Sequence, residues 1–390
     1  MKILMICPYY FPAISFGGVI QSSLNLSHEL VKRNHEVVVF SSNAESKTTR
    51  LQVPKVVHHR GVIIHYFSTI SSRNIGGFFI TPGIIGAARR LSHEFDIVHL
   101  QEYRTFQNIV ASYASRKSRT PYIIQPHGTL PRIEPYMKRK LVFDATFGNN
   151  ILKYASAGVP MSNFELEHFK KIDSWSGLLE IIPNSVDLQS FANTADGNVF
   201  RKNHGISEDA SIILFLGRLN RIKNLETLVR AFSIVLEVCE NAILVIAGPD
   251  DGEQARLNDI MNSLGISSKV IFTGLLHFQE KASALNACEF LVLPSFYELF
   301  GTVILEAFAC GKPVIGSNVG STPDLVMPGK TGYLFHPNDV QQLSKIAIGL
   351  LSSPSEARRM GREGRKLVKE KYTVGQVSRL LESLYESILK

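Results

Sequence analysis

Short apolar runs alternate with amphipathic helical stretches along the whole chain, the pattern of βα units and mostly parallel sheets. In the first half it predicts strands near Lys2–Cys7, Glu36–Ser41, Val62–Tyr66, Asp96–Leu100, Tyr122–Gln125, Ala157–Met161 and Leu179–Ile182. Helices are predicted near Val19–Arg33, Pro82–Glu94, Phe106–Lys117, Tyr136–Tyr154 and Phe164–Lys171. The polar stretch Asp187–Asn203 breaks the alternation and reads as a linker. Beyond it, strands are predicted near Ser211–Leu216, Ala242–Ala247, Lys269–Thr273, Phe290–Leu293, Pro313–Gly316 and Gly332–Phe335. Helices there include Leu225–Val238, Ala255–Leu264, Glu280–Asn286 and Thr302–Cys310, and two late ones, Ser355–Lys371 and Val374–Leu389.

A chain of 390 residues suits two domains, each with its own core. Hydrophobic residues make up 45% and charged ones 19%, which excludes a disordered chain. The four cysteines, Cys7, Cys239, Cys288 and Cys310, show no CxxC spacing and sit among apolar neighbours, as buried reduced thiols of a cytosolic protein would. Met1–Cys7 reads as a strand rather than a signal peptide. No apolar run reaches the roughly 18 residues of a spanning helix.

The formal net charge of +8 is uneven: residues 1–185 hold 21 Lys+Arg against 12 Asp+Glu, and residues 186–390 hold 21 against 22. The excess positive charge therefore belongs to the first half. It points to an anionic partner there, or to a face that only keeps the protein soluble. Arg132, Lys138, Arg139 and Lys140 run into Leu141-Val142-Phe143, an order that suits an anionic membrane surface and equally an amphipathic helix packed on its own domain. A nucleic-acid partner is not expected, because no reader motif or basic–aromatic pattern is present.

In open α/β sheets, ligands bind beyond the carboxyl ends of the strands. Unusual residues cluster at four such ends. Gly17 and Gly18 follow the first strand, where paired glycines and a helix start offer free N–H groups to an anion, although the GxGxxG spacing is absent. His127 follows the strand Tyr122–Gln125 and is a candidate for contact with a sugar hydroxyl or for proton handling, or else a structural hydrogen-bonder. Gly217-Arg218-Leu219 follows Ser211–Leu216, and with Lys223 it places two cations where a diphosphate would suit them. The fourth is Pro294–Gly301 with the helix Thr302–Cys310. That helix reads as apolar on every side except at Glu306, a carboxylate that needs a partner, either an ion pair or a ribose diol. Glu298 lies in the loop before it, and the N–H groups of Gly301, Thr302 and Val303 favour a phosphate.

PSFYELFGTVILEAFACGKPV, Pro294–Val314, closely resembles the E-x7-E signature of retaining glycosyltransferases of family four, also called glycosyl transferases group 1. Glu298 and Glu306 fall on its two glutamates. GRLNRIKN, Gly217–Asn224, resembles the family's GR-x4-K segment, and IPNSVD, Ile182–Asp187, is similar to its IPNGVD. Gly17-Gly18, His127-Gly128, VGSTPDLV and GKTGYLF add further matches, so the resemblance covers nearly the whole chain. It implies the α/β GT-B fold, two Rossmann-like domains with parallel sheets facing an interdomain cleft. The expected division is an acceptor-side domain of residues 1–190, with a C-terminal helix 373–390 crossing back onto it, and a nucleotide-sugar domain of residues 191–372.

By the same resemblance, Glu298 would hold hydroxyls of the donor sugar and Glu306 the ribose. Arg218 and Lys223 would neutralise the departing diphosphate, aided by Gly18 and by Thr302–Val303, with His127 near the transferred sugar. Asn184, Gly217, Phe300 and Gly301 would line the donor site. Ser321 and Ser185 stand where the family usually has glycine, which puts the tightness of two turns in question. The expected activity is transfer, with retention, from a nucleotide sugar such as a UDP- or GDP-sugar to a glycan or lipid-linked glycan. The setting would be the assembly of cell-surface polysaccharide, lipopolysaccharide included, in the cytoplasm or on the inner face of the membrane. No cofactor and no metal is expected: there is no DxD motif, and Asp250-Asp251 reads as a surface turn. A nucleotide-sugar epimerase, a phosphorylase or a non-catalytic binder are the alternatives. Sugar and acceptor choice would lie in loops such as Ser68–Pro82 and Arg104–Asn108.

Overall fold

A strand covered on both faces has no polar side to show, and KILMIC and SIILFL are buried from their second residue onward. In the computed structural model, which describes residues 1–13, 18–46, 48–70, 78–132, 137–192 and 196–390, these two strands start separate sheets. The chain forms two compact units, Met1–Ser185 with Val374–Lys390, and Val186–Thr373. The division falls a few residues before the 190/191 boundary read from the sequence.

The first unit runs β1 (Lys2–Cys7), α1 (Gly18–Lys32), β2 (Glu36–Ser42), β3 (Val56–His59), β4 (Val62–Phe67), α2 (Gly83–Leu91), β5 (Ile97–Gln101), α3 (Phe106–Ser118), β6 (Tyr122–Gln125), α4 (Met137–Phe143), α5 (Asn149–Lys153), β7 (Ala157–Gly158), α6 (Asn163–Lys170) and β8 (Leu178–Leu179). Its sheet has the order β3-β4-β2-β1-β5-β6-β7-β8 and is parallel except for the antiparallel edge pair β3–β4. The edge strand β3 was not foreseen. Its residues alternate between exposed and half-buried, so it lacks the apolar run that marks the central strands. Successive side chains of β1 point to opposite faces: Ile3 and Met5 join Val37 and Val39 in one core, while Leu4 and Ile6 join Val38 and Phe40 in the other.

The second unit runs α7 (Leu188–Ala192), α8 (Gly197–Asn203), β9 (Ser211–Leu216), α9 (Leu225–Leu236), β10 (Ala242–Ala247), α10 (Gln254–Ser263), β11 (Val270–Gly274), α11 (Phe278–Ala287), β12 (Phe290–Leu293), α12 (Thr302–Ala309), β13 (Val314–Ser317), α13 (Thr322–Leu325), β14 (Gly332–Phe335), α14 (Val340–Ser352) and α15 (Pro354–Leu367). Its sheet, β11-β10-β9-β12-β13-β14, is wholly parallel. The stretch read as a linker is folded instead. Its described residues supply α7 and α8, whose Phe191 and Phe200 are buried, while Gln189, Asn198, Lys202 and Asn203 are exposed on those two short helices.

The helix read over Tyr136–Tyr154 is interrupted by one π turn, Asp144–Gly148, between α4 and α5; Tyr136 lies outside the described residues. Asp144 in that turn is buried and accepts from Arg104 Nε and Nη2 (2.9 and 2.8 Å) and from Arg132 Nε (2.8 Å). Arg132 is thus engaged inside the unit and is no free member of the basic patch. Leu141 and Val142 remain exposed. Among the described residues, no helix is long and apolar enough to cross a membrane. Of the four thiols, Cys7 and Cys288 are buried, whereas Cys239 and Cys310 are only partly so, which corrects the expectation of four buried thiols.

The last helix, α16 (Val374–Leu389), packs on the first unit. Leu381 and Tyr385 enter its core, and Glu382 pairs with Arg33 and with His35 Nε2 (2.8 Å). The Tyr385 hydroxyl lies 2.7 Å from Nδ1 of His99, both side chains fully buried. Burial pushes His99 down to about 3, so the ring is neutral at ordinary pH. Tyr385→Phe leaves that nitrogen without a partner and should destabilise the first unit by about 1–3 kcal/mol. Urea denaturation checks this, and an unmoved midpoint would contradict the anchoring of α16 through His99.

Candidate active site

In the second unit the loop after β9 and the loop after β12 are bound to one another. Asn224 Nδ2 donates to Pro294 O (3.2 Å), and Phe296 N donates to Ile222 O (2.8 Å). The first loop is shaped by its own asparagines. The Asn220 side chain accepts from Lys223 N, and Asn224 takes a left-handed backbone (φ 51°), which asparagine tolerates better than most residues. Gly248 permits the start of this loop, because a Cβ there would run into the Gly217 carbonyl.

These constraints bring Lys223 and Glu298 together: Nζ donates to Oε2 at 2.7 Å, and Ser295 Oγ donates to the same oxygen at 3.2 Å. Backbone bonds fix Glu298 in turn. Ser321 N donates to its carbonyl (3.1 Å), and Gly320 passes so close to that carbonyl that a Cβ would collide with it. Neither Ser321 nor Ser185 has a positive φ, so neither turn needs the glycine usual in the family.

Arg218 is exposed at the mouth of the sheet, its Nε 3.4 Å from Asp251 Oδ2. Asp251 is a partner that sequence reasoning missed. Asp250 accepts from the N–H groups of Gly252, Glu253 and Gln254, which makes that segment a turn. Gly301 starts α12 in a left-handed conformation (φ 65°). The Phe300 side chain is buried, so for a ligand only its backbone remains available.

The α12 helix is not buried on every side, as its sequence suggested. Thr302, Val303 and Glu306 are half-buried along one face. Glu306 has a protein partner: Lys281 Nζ donates to its Oε1 at 2.5 Å, with that ammonium 5.5 and 5.9 Å from the ring centres of Phe191 and Phe278. Lys281 on α11 was also missed. Its only signal is a lysine in a helix otherwise rich in alanine.

In the first unit Gly17 lies outside the described residues, and Gly18 is exposed at the start of α1. His127 is buried with φ 50°, its Nε2 2.5 Å from Gln101 Oε1. Burial pushes it down to about 3, which keeps the ring neutral. The following Gly128 N donates to Glu165 Oε1 (2.7 Å), and Met161 N donates to Oε2 (3.0 Å). Burial raises Glu165 to about 7 against the pull of those two bonds. Sequence reasoning missed Glu165, although the spacing Ser162-x-x-Glu165 before a helix is a signal that could have found it. Asn184 is buried in the first unit and accepts from Ser22 Oγ on α1 (2.9 Å).

Comparison with known proteins gives the family. Residues 196–367 match the family described as "Glycosyl transferases group 1", and residues 16–190 match "Glycosyltransferase Family 4". The N-acetyl-alpha-D-glucosaminyl L-malate synthase of Bacillus anthracis is 25% identical over 100% of this chain and 98% of its own. A D-inositol 3-phosphate glycosyltransferase of Streptomyces avermitilis is 32% identical over 48% of this chain and 42% of its own. Anabaena Alr3699/HepE, solved in complex with UDP-glucose, superposes with a TM-score of 0.78 over 99% of this chain and 100% of that one, at 21% identity. The chain belongs to the group 1, family four glycosyltransferases and is built from the two Rossmann-like domains of the GT-B fold.

Proposed function

We propose that the second unit binds a nucleoside-diphosphate sugar and that the enzyme passes the sugar to a glycan hydroxyl with retention of configuration and without a metal. The observation that carries this reading is the Lys223–Glu298 pair, held between two strand-end loops and immediately before the N-terminus of α12. A diphosphate at this place would meet Lys223, Arg218 and the N–H groups of Thr302 and Val303. Glu298 would hold sugar hydroxyls and Glu306 the ribose diol, with Lys281 keeping Glu306 ionised and in place. UDP-glucose in the related Anabaena structure supports a uridine donor. The leaving phosphate oxygen would take the acceptor's proton, so the protein's contribution is positioning and charge stabilisation. Arg218→Ala and Lys223→Ala should each lower turnover by about 10²–10³, the scale for one lost preorganised donor. The readout is nucleoside-diphosphate release with the best donor and acceptor from a screen; unchanged turnover in both variants would refute the roles.

We further propose that the acceptor is a lipid-linked glycan of cell-surface polysaccharide assembly, met on an anionic membrane. The support is α4, where Lys138 and Arg139 are exposed beside exposed Leu141 and Val142, with Phe147 following. The protein should sediment with phosphatidylglycerol vesicles at low salt, and Val142→Asp should weaken this. No sedimentation at any salt concentration would overturn it.

A further inference from the structure

The strand order of the first unit places its crossover point between β1 and β5. From β1 the chain moves to β2 on one side, and from β5 to β6 on the other. Ligand crevices of open α/β sheets lie at such a point, beyond the carboxyl ends of the two strands. Two side chains meet there. Tyr9, two residues past the end of β1, donates its hydroxyl to Oε1 of Glu102, the first residue past β5. Neither residue belongs to a motif singled out in the sequence.

Glu102 has a left-handed backbone (φ 63°), a conformation that is strained for a non-glycine residue and collects at functional sites. Its backbone is tied on both sides: its N–H donates to Gln125 O (2.8 Å), and its carbonyl accepts from Asn108 Nδ2 (2.9 Å). The carboxyl is thus held in position by its neighbours rather than swinging free. Oε2 has no hydrogen-bond partner among the described residues. Two buried polar atoms of the adjacent Gln101 and of its partner His127, Gln101 Nε2 and His127 Nδ1, likewise have no hydrogen-bond partner among the described residues. Burial raises the Glu102 carboxyl to about 8, so below that pH it can donate a hydrogen bond as well as accept one.

We propose that Glu102, held by Tyr9 at the crossover point of the first unit, binds the hydroxyl group of the acceptor that receives the sugar. The assignment rests on the glycosyltransfer reading and names the acceptor's contact within it. The class of ligand is a polyol or sugar hydroxyl, which a carboxyl matches as both donor and acceptor.

The test is steady-state kinetics with donor and acceptor varied separately in wild type, Glu102→Gln, Glu102→Ala and Tyr9→Phe. Glu102→Ala should raise the acceptor KM by roughly 10–100-fold, the range for one hydrogen bond to a charged or strongly polar group. Donor KM should stay within about 2-fold, and Glu102→Gln, which keeps a donor and an acceptor, should recover part of the loss. Tyr9→Phe should raise the acceptor KM in the same direction and covers the case in which Glu102→Ala fails to fold. An unchanged acceptor KM in Glu102→Ala, or in Tyr9→Phe where the former does not fold, would overturn the assignment alone. A wild-type enzyme that turns over no sugar nucleotide would overturn the glycosyltransfer reading as well.

Discussion

The second unit is organised around one ion pair. Lys223 and Glu298 come from loops more than seventy residues apart in sequence, and their 2.7 Å contact requires both loops to hold one shape. The shape is set by asparagines that cap or accept a left-handed backbone, by glycines where carbonyls pass closely, and by two inter-loop hydrogen bonds. An ion pair on such a frame is preorganised: both charges are fixed before a ligand arrives, so little has to reorganise when a diphosphate departs. The half-buried face of α12 carries Glu306, with Lys281 as its counter-charge.

The first unit follows a different logic. Several of its buried polar groups favour the neutral form: His99 and His127 stay uncharged, and Glu102 and Glu165 are raised by burial. Buried charge is paired, as in Arg104–Asp144 and Arg33–Glu382, which hold helices in place. Neutral buried groups of this kind suit recognition of hydroxyls through hydrogen bonds, while the second unit carries the Lys223–Glu298 and Lys281–Glu306 ion pairs. The division of chemistry matches the two partners of a glycosyl transfer, one polyhydroxylated and one polyanionic.

Much of this was legible in the sequence because parallel strands advertise themselves. Ser211–Leu216, Ala242–Ala247, Phe290–Leu293 and Gly332–Phe335 have the bounds that their apolar runs predicted. The half-exposed β3 and the short helices α7 and α8 did not show, because exposed alternation and a few buried aromatics in a polar stretch resemble a loop. At the site, Arg218, Lys223, Glu298 and Glu306 were visible as charges next to strand ends or in an apolar helix. Their partners were not. Asp251 and Lys281 look like ordinary surface residues in sequence, and only the fold sets them against Arg218 and Glu306. Glu102 and Tyr9 escaped notice for the same reason: the strand order that joins them is not written in either segment.

The central claim is that the second unit is a sugar-diphosphate site, and ligand-induced stabilisation tests it most directly. Melting temperatures should be compared with UDP-, GDP- and ADP-sugars at millimolar concentration. A ligand at about 100 times its Kd stabilises the folded state by about 2.7 kcal/mol. At least one of these donors should raise the melting temperature, and substituting Glu306 by Gln should diminish the rise. A panel in which no nucleotide sugar moves the melting temperature would contradict the account.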